Sequence, residues 1–176
     1  VGFCIVCCGI SSLWGQQRQN TATYDKSSRA QKSEAGIATV SSPFVIQLKS
    51  LSSLNGSEQL DDRTVRLTVR VRQPDLNEWS GFRVFLNLPE NKSNPSPQEP
   101  YYVGRASFYG GKTGEPVSFM FNLGKAINSI KQQTSSFPVD EPLTVTIVPV
   151  ASSAKNRVIS DTGLVVKNVN VELSQD

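Results

Sequence analysis

The sequence predicts an all-β protein, an antiparallel β-sandwich of about seven strands with one short helix. Two observations lead to this fold class. Short stretches in which apolar and polar residues alternate follow one another through most of the chain, separated by clusters of glycine, proline, asparagine and serine. One other stretch has the spacing of an amphipathic helix. With 176 residues, the chain is long enough for one domain with its own core.

Composition divides the chain into three parts. Residues 1–15 form an apolar segment typical of the core of a secretory signal, and this segment is shorter than the roughly 20 residues of a membrane span. Residues 16–42 are polar, which predicts a disordered linker. Residues 43–176 form the predicted sandwich. We therefore expect a secreted or periplasmic protein, with N-terminal anchoring left open, and no membrane span beyond the first segment.

Seven stretches predict the strands. In order, they comprise residues 43–51, 63–73, 81–89, 101–110, 116–122, 143–150 and 163–173. The second is the most regular, and its arginines are expected on a solvated face of the sheet: Arg63, Arg66, Arg70 and Arg72. In the last stretch the apolar phase shifts near Lys167, which predicts a bend or a bulge.

The helix is predicted between the fifth and sixth strands. Four apolar residues recur there at positions i, i+3, i+4 and i+7: Leu123, Ala126, Ile127 and Ile130. Asn122 is suited to cap the N-terminus of the helix, and Lys131 suits its last turn. We expect this helix to close one end of the sandwich.

The composition excludes several kinds of chemistry. The chain contains no histidine, which rules out imidazole general-base catalysis and histidine-ligated metal sites. All three cysteines lie within the first eight residues, so the predicted domain has neither a thiol nor a disulfide. We therefore expect no catalytic residue, no metal site and no cofactor. The formal net charge of +3 gives no indication of nucleic-acid binding.

The stretch YVGRASFYGGKTGEP, residues 102–116, contains Gly-Gly-Lys-Thr, which resembles the end of a phosphate-binding P-loop. The P-loop pattern requires glycine where Ala106 stands, and a helix after the lysine, where a strand is predicted instead. A hairpin between two strands explains Gly110, Gly111 and Gly114, because glycine tolerates a positive φ. The sequence therefore favours a tight turn over a nucleotide site.

Aromatic side chains are concentrated in the middle of the chain. They are Trp79, Phe82, Tyr101, Tyr102, Phe108, Tyr109, Phe119 and Phe121. Most are expected in the core, because large aromatic side chains dominate the apolar area that a domain buries. The alternative for some of them is an exposed patch that docks on a partner.

Several segments occur in an order that resembles a known family. FRVFLNLP, then YYVGRASFYG, then a short helix, then LTVTIVPV are similar to the C-terminal domain of tyrosinases and polyphenol oxidases. The resemblance extends over residues 43–173. It implies a β-sandwich that covers the entrance of a dicopper domain and inserts an apolar or aromatic side chain toward the copper site. Because the family's catalytic domain binds copper through histidines, which this chain lacks, the resemblance implies the shielding module alone.

A shielding side chain has to be apolar or aromatic and has to protrude from a turn. Two loops qualify: residues 91–102, with Tyr101 at the end, and residues 108–116, with Phe108 and Tyr109 at the start. The second loop is preferred, because its three glycines would let the backbone fit a tight entrance. The alternative is that Phe108 faces the core and Tyr109 covers the sheet.

The expected partner is accordingly a type-3 copper oxidase domain. A general extracellular interaction module or carbohydrate-binding module with the same architecture is the alternative, because one fold serves many functions. An oxidase gene beside this one would favour the first hypothesis, and a glycan-array signal the second. The sequence leaves open whether Val1 is the true start or whether the chain is a fragment of a longer oxidase.

Overall fold

The computed structural model of the protein describes residues 31–32, 36–52, 65–90, 92, 95–135, 137–152 and 163–173. The predicted signal-like segment, residues 1–15, lies outside these ranges, as does the predicted linker up to residue 30. The described residues form two antiparallel sheets and one short helix. The predicted all-β sandwich is therefore confirmed.

The described residues contain nine strands and a helix. The strands are β1 (Gln31–Lys32), β2 (Gly36–Ala38), β3 (Phe44–Leu48), β4 (Val65–Arg72), β5 (Trp79–Leu86), β6 (Tyr102–Ser107), β7 (Pro116–Asn122), β8 (Leu143–Ala151) and β9 (Leu164–Leu173). The helix is α1 (Gly124–Thr134), between β7 and β8. All seven predicted strands are present, as β3 to β9.

The strands form a five-stranded and a four-stranded sheet. In the five-stranded sheet the order is β1-β9-β4-β7, and β2 also pairs with β9. In the four-stranded sheet the order is β3-β8-β5-β6. Most strands that follow one another in the chain, such as β4 and β5, therefore belong to different sheets. Connections that cross between the two layers are typical of a sandwich.

The five-stranded sheet begins earlier in the chain than the predicted boundary at residue 43. β1 and β2 pair with β9, and Ile37 lies opposite Val165. Ala38 is fully buried in the core. Strands therefore replace part of the predicted disordered linker. Composition did not indicate them, because their backbone partner is a strand near the other end of the chain and packing there overrides local preference.

The predicted irregularity near Lys167 is present. In the pairing of β4 with β9, Arg70 lies opposite Asn168, whereas the next residue of β4 lies opposite Val166. Lys167 is therefore an extra residue in β9, the arrangement of a β-bulge. As a result Val166 and Val169 are both buried although they are three positions apart. This change of alternation is the phase shift visible in the sequence.

One hydrophobic core fills the space between the sheets, and four phenylalanine rings pack together in it and against it. Phe82 on β5 meets Phe119 on β7 edge to face, with ring centroids 5.2 Å apart. Phe108 lies 5.7 Å from Phe119, and Phe121 lies 6.1 Å from Phe82. Such pairs add about 0.5–1.5 kcal/mol to the effect of area burial. Because β5 and β7 belong to different sheets, this phenylalanine cluster (these four residues) joins the two layers.

The helix α1 packs on the core as predicted. Its buried side includes the four apolar residues of the predicted pattern: Leu123, Ala126, Ile127 and Ile130. The backbone places the N-cap at Leu123 rather than at Asn122. The Asn122 Oδ1 still accepts a hydrogen bond of 2.8 Å from the Gly124 N–H, so it satisfies one of the free donors of the first turn. No helix in the described residues is long and apolar enough to cross a membrane.

Candidate functional site

The loop between β6 and β7, residues 108–115, crosses from one sheet to the other, and we name it the glycine loop. β6 pairs with β5 in the four-stranded sheet, and β7 pairs with β4 in the five-stranded sheet. The prediction of a hairpin is therefore wrong. A turn signal between two strands does not specify whether they pair with each other, and sequential strands neighbour one another only about two-thirds of the time.

Three glycines shape the glycine loop. Gly110, Gly111 and Gly114 have φ angles of 56°, 84° and 91°. The predicted need for glycine at these positions is confirmed, because side chains strongly disfavour such angles. A hydrogen bond of 3.1 Å from the Glu115 N–H to the Lys112 carbonyl closes the turn. The strand β7 follows this turn, as predicted, in place of the helix that a P-loop requires after its lysine.

Gln73, the first residue after β4, holds the glycine loop at several points. Its N–H donates to the Glu115 carbonyl at 2.7 Å, and its carbonyl accepts from the Gly114 N–H at 2.8 Å. Its Nε2 donates to the Gly110 carbonyl at 3.3 Å. The side chain is almost completely buried, with 6% exposed. The side-chain amide thus binds near the start of the loop and the Gln73 backbone binds the end of the loop, which restricts its motion and fixes its position on the sandwich.

Sequence reasoning missed Gln73. A polar residue after a strand is common, and it is usually solvated at a turn. The feature that distinguishes Gln73 is its burial, which depends on the glycine loop lying against the end of β4. The sequence contains no local signal for that contact, because Gly110 lies far from Gln73 along the chain.

Phe108 begins the glycine loop and lies in the core. It is 6% exposed, and its ring lies 5.9 Å from that of Phe82. Its N–H donates to the Ser80 carbonyl at 3.0 Å. The prediction of Phe108 as a protruding, partner-binding side chain is therefore corrected, because protrusion would remove it from the phenylalanine cluster. The structure agrees instead with the alternative prediction that Phe108 faces the core.

Tyr109, the next residue, points away from the sandwich. It is 87% exposed, more than any other large apolar side chain in the described part of the chain. Tyr109 therefore does not cover the sheet, in contrast to the alternative prediction. Its ring offers an apolar face and a hydroxyl that can donate or accept a hydrogen bond. An exposed aromatic ring on a restrained loop is the kind of group that anchors a protein–protein contact.

Tyr101, the other candidate, is only partly exposed and packs against the core cluster. Its carbonyl accepts a hydrogen bond of 2.8 Å from the Leu86 N–H at the end of β5. In the same loop, a salt bridge of 2.8 Å joins Lys92 to Glu99. Tyr101 therefore lies against the sheet edge, and of the three candidates only Tyr109 protrudes.

The described residues hold no group of three or more histidine, cysteine, aspartate or glutamate side chains that could bind a metal ion. What the loop offers to another molecule is an exposed aromatic ring on a restrained backbone. The fold and the loop thus define a class of protein, a β-sandwich that presents an exposed aromatic side chain on a restrained loop.

No protein-family model and no curated protein matches the sequence. Among solved structures, the chain is similar to part of a recombinantly expressed latent aurone synthase, a polyphenol oxidase, with 16% identity and a TM-score of 0.49. For the latent enzyme from its natural source the TM-score is 0.48, also at 16% identity. In both comparisons 79% of this chain is covered, and this chain spans 26% of the oxidase.

Proposed function

We propose that the chain is a non-catalytic, secreted or periplasmic β-sandwich module that covers the active-site entrance of a type-3 copper oxidase. In this proposal Tyr109 enters the entrance, and the glycine loop holds the ring in position. One observation carries the proposal: an aromatic side chain is 87% exposed on a loop that hydrogen bonds attach to the sandwich at both ends. The order of the strand motifs, similar to the C-terminal domains of tyrosinases and polyphenol oxidases, supports the choice of partner.

The chemistry of Tyr109 suits this role. An oxidase of phenols has a pocket that admits a phenol ring, and a tyrosine side chain is itself a phenol. The hydrogen bonds from Gln73 to the loop order the backbone before the partner binds. Ordering a loop or a side chain during association costs about 0.5–1.5 kcal/mol per immobilised group, so a loop that is already restrained binds more tightly.

The test is inhibition of a type-3 copper oxidase from the native host, prepared without any shielding domain of its own. Its rate of catechol oxidation is measured with increasing amounts of the full chain. We expect the chain to lower the rate saturably and to oxidise no catechol by itself. We expect Tyr109→Ala to weaken the inhibition about thirtyfold or more, since a buried anchoring aromatic contributes roughly 2–4 kcal/mol.

The matched control is Met120→Ala, which removes another exposed apolar side chain, 72% exposed, from β7. It should inhibit as well as the unmodified chain. Tyr109→Phe separates the ring from the hydroxyl and should keep most of the inhibition if the ring supplies the contact. Equal inhibition by Tyr109→Ala and the unmodified chain, with both folded, would rule out this loop as the shielding element. Failure of the unmodified chain to inhibit would contradict the proposed function itself.

A further inference from the structure

A cleft on the outer face of the five-stranded sheet has a lining in which cations predominate. Its volume is about 370 Å³, within the range of roughly 300–1,000 Å³ that small-molecule sites occupy. The lining residues are Arg70, Arg72, Gly114, Pro116, Lys167 and Asn168. The proposed shielding role uses none of the charged ones. The cleft therefore calls for an explanation of its own.

The bulge in β9 brings the three cations together. Arg70 and Arg72 lie two residues apart on β4, so their side chains point to the same, solvent-facing side of the sheet. In a regular strand Lys167 and Asn168 would point to opposite sides. Because Lys167 is the extra residue of the bulge, both line the cleft beside the arginines. In a regular β9, the Lys167 side chain would point to the other face of the sheet, away from the two arginines.

The charged residues in the lining of this cleft are all cations. No carboxylate in the described part of the chain lines it. Glu115 stands between two lining residues in the sequence, yet its side chain is not part of the lining. Cations gathered in a concave site without counter-charges attract and concentrate anions.

We propose that this cleft binds the oxyanion of a phosphate or sulfate ester. Arg70 and Arg72 each supply a planar fork of donors that matches the spacing of oxyanion oxygens, and Lys167 adds a point charge. The donors of two guanidinium groups and an ammonium group outnumber the acceptor positions of a carboxylate, so a tetrahedral oxyanion uses them better. The rest of such an ester has space in the cleft. This proposal does not rest on the shielding role.

The test is calorimetric titration of the full chain with glucose 6-phosphate, glucose 6-sulfate and glucose at constant ionic strength. We expect at least one of the two esters to bind saturably, with a dissociation constant of about 1 mM or below, and glucose not to bind. Arg70→Gln and Arg72→Gln should each weaken binding about tenfold, because each removes charged hydrogen bonds to the oxyanion. Both side chains are exposed, so the variants should fold, which a thermal melt confirms.

The charge-matched control is Lys125→Gln, an exposed position on α1 that lies outside the cleft. It removes the same charge from the chain and should leave the affinity unchanged. Binding of only one ester identifies that ester as the source of the oxyanion, and binding of both indicates a site for either; each supports the proposal. Absence of saturable binding for both esters would overturn it, as would an equal loss of affinity in Lys125→Gln and the two arginine variants.

Discussion

Phe108 and Tyr109 are adjacent in the chain and have opposite environments. Phe108, at the base of the glycine loop, is 6% exposed and belongs to the phenylalanine cluster, whereas Tyr109 is 87% exposed. The base of the loop is also held by Gln73 and by the turn that ends at Glu115. The outer part has no comparable burial. This contrast separates the residues that stabilise the loop from the residue available to a partner.

The contrast predicts that substitutions at the base lower stability and that substitution of Tyr109 leaves stability unchanged and affects binding. The reason is that stability follows buried contacts and satisfied hydrogen bonds, which the base has and the exposed ring lacks. Four substitutions test this separation.

The largest effect is expected for Phe108→Ala. It removes a buried ring that contacts Phe82 and Phe119 on two different sheets. The cavity and the lost contacts should lower the free energy of unfolding by about 3–5 kcal/mol. Urea denaturation measures this value, with Tyr109→Ala as the neighbouring control. A loss as small as that of Tyr109→Ala would mean that the base of the loop does not stabilise the sandwich.

Gly114→Ala should have an intermediate effect. The φ angle of Gly114 is 91°, and apart from its own chain neighbours no atom of the described residues lies within 4 Å of the position a Cβ would occupy. The cost therefore arises from the backbone alone and should be about 1–2 kcal/mol in the free energy of unfolding. Lys112→Ala, in the same turn but without a positive φ, is the control and should change this free energy little. Equal effects of the two substitutions would argue against the conformational explanation.

Gln73→Ala should cost about 1 kcal/mol, because it removes the side-chain hydrogen bond to the Gly110 carbonyl while the two backbone bonds remain. The sharper measurement is hydrogen exchange of the Gly114 amide, which donates to the Gln73 carbonyl. Its exchange should become faster if the side chain restrains the loop. Gln47→Ala, at an exposed position on β3, is the control. Unchanged exchange in Gln73→Ala would show that the backbone bonds alone hold the loop.

The smallest effect on stability is expected for Tyr109→Ala, within about 0.5 kcal/mol, because the ring is almost entirely solvated. The same variant should show the largest loss of oxidase inhibition among these four. A thermal melt together with the catechol oxidation assay measures both properties. A substantial fall in stability would mean that Tyr109 packs on the sandwich, and the contrast with Phe108 would then disappear.

Much of the fold could be predicted because its signals are local. Apolar and polar residues alternate most clearly in β4, where every second residue is buried and the residues between them are more solvated. The bulge at Lys167 was visible because an extra residue shifts that alternation. The positive φ angles of the glycine loop were predictable because glycine alone adopts them at little cost. The exclusion of histidine-based catalysis and of histidine-ligated metal sites needed only the composition, because the chain has no histidine.

Other features depend on contacts between residues that are distant along the chain, and only the tertiary structure determined them. β1 and β2 form because β9 provides an edge for them, although they have only two and three residues and lie in a largely polar segment. The glycine loop is a crossing rather than a hairpin because β7 pairs with β4. Phe108 is buried because its ring packs in the phenylalanine cluster, whereas the Tyr109 ring lies outside that cluster and is exposed. The cationic cleft exists because Lys167 lies beside Arg70 and Arg72 only after β4 and β9 have paired. Local alternation shows which residues of a strand share a face, and only the folded chain determines which strands lie side by side.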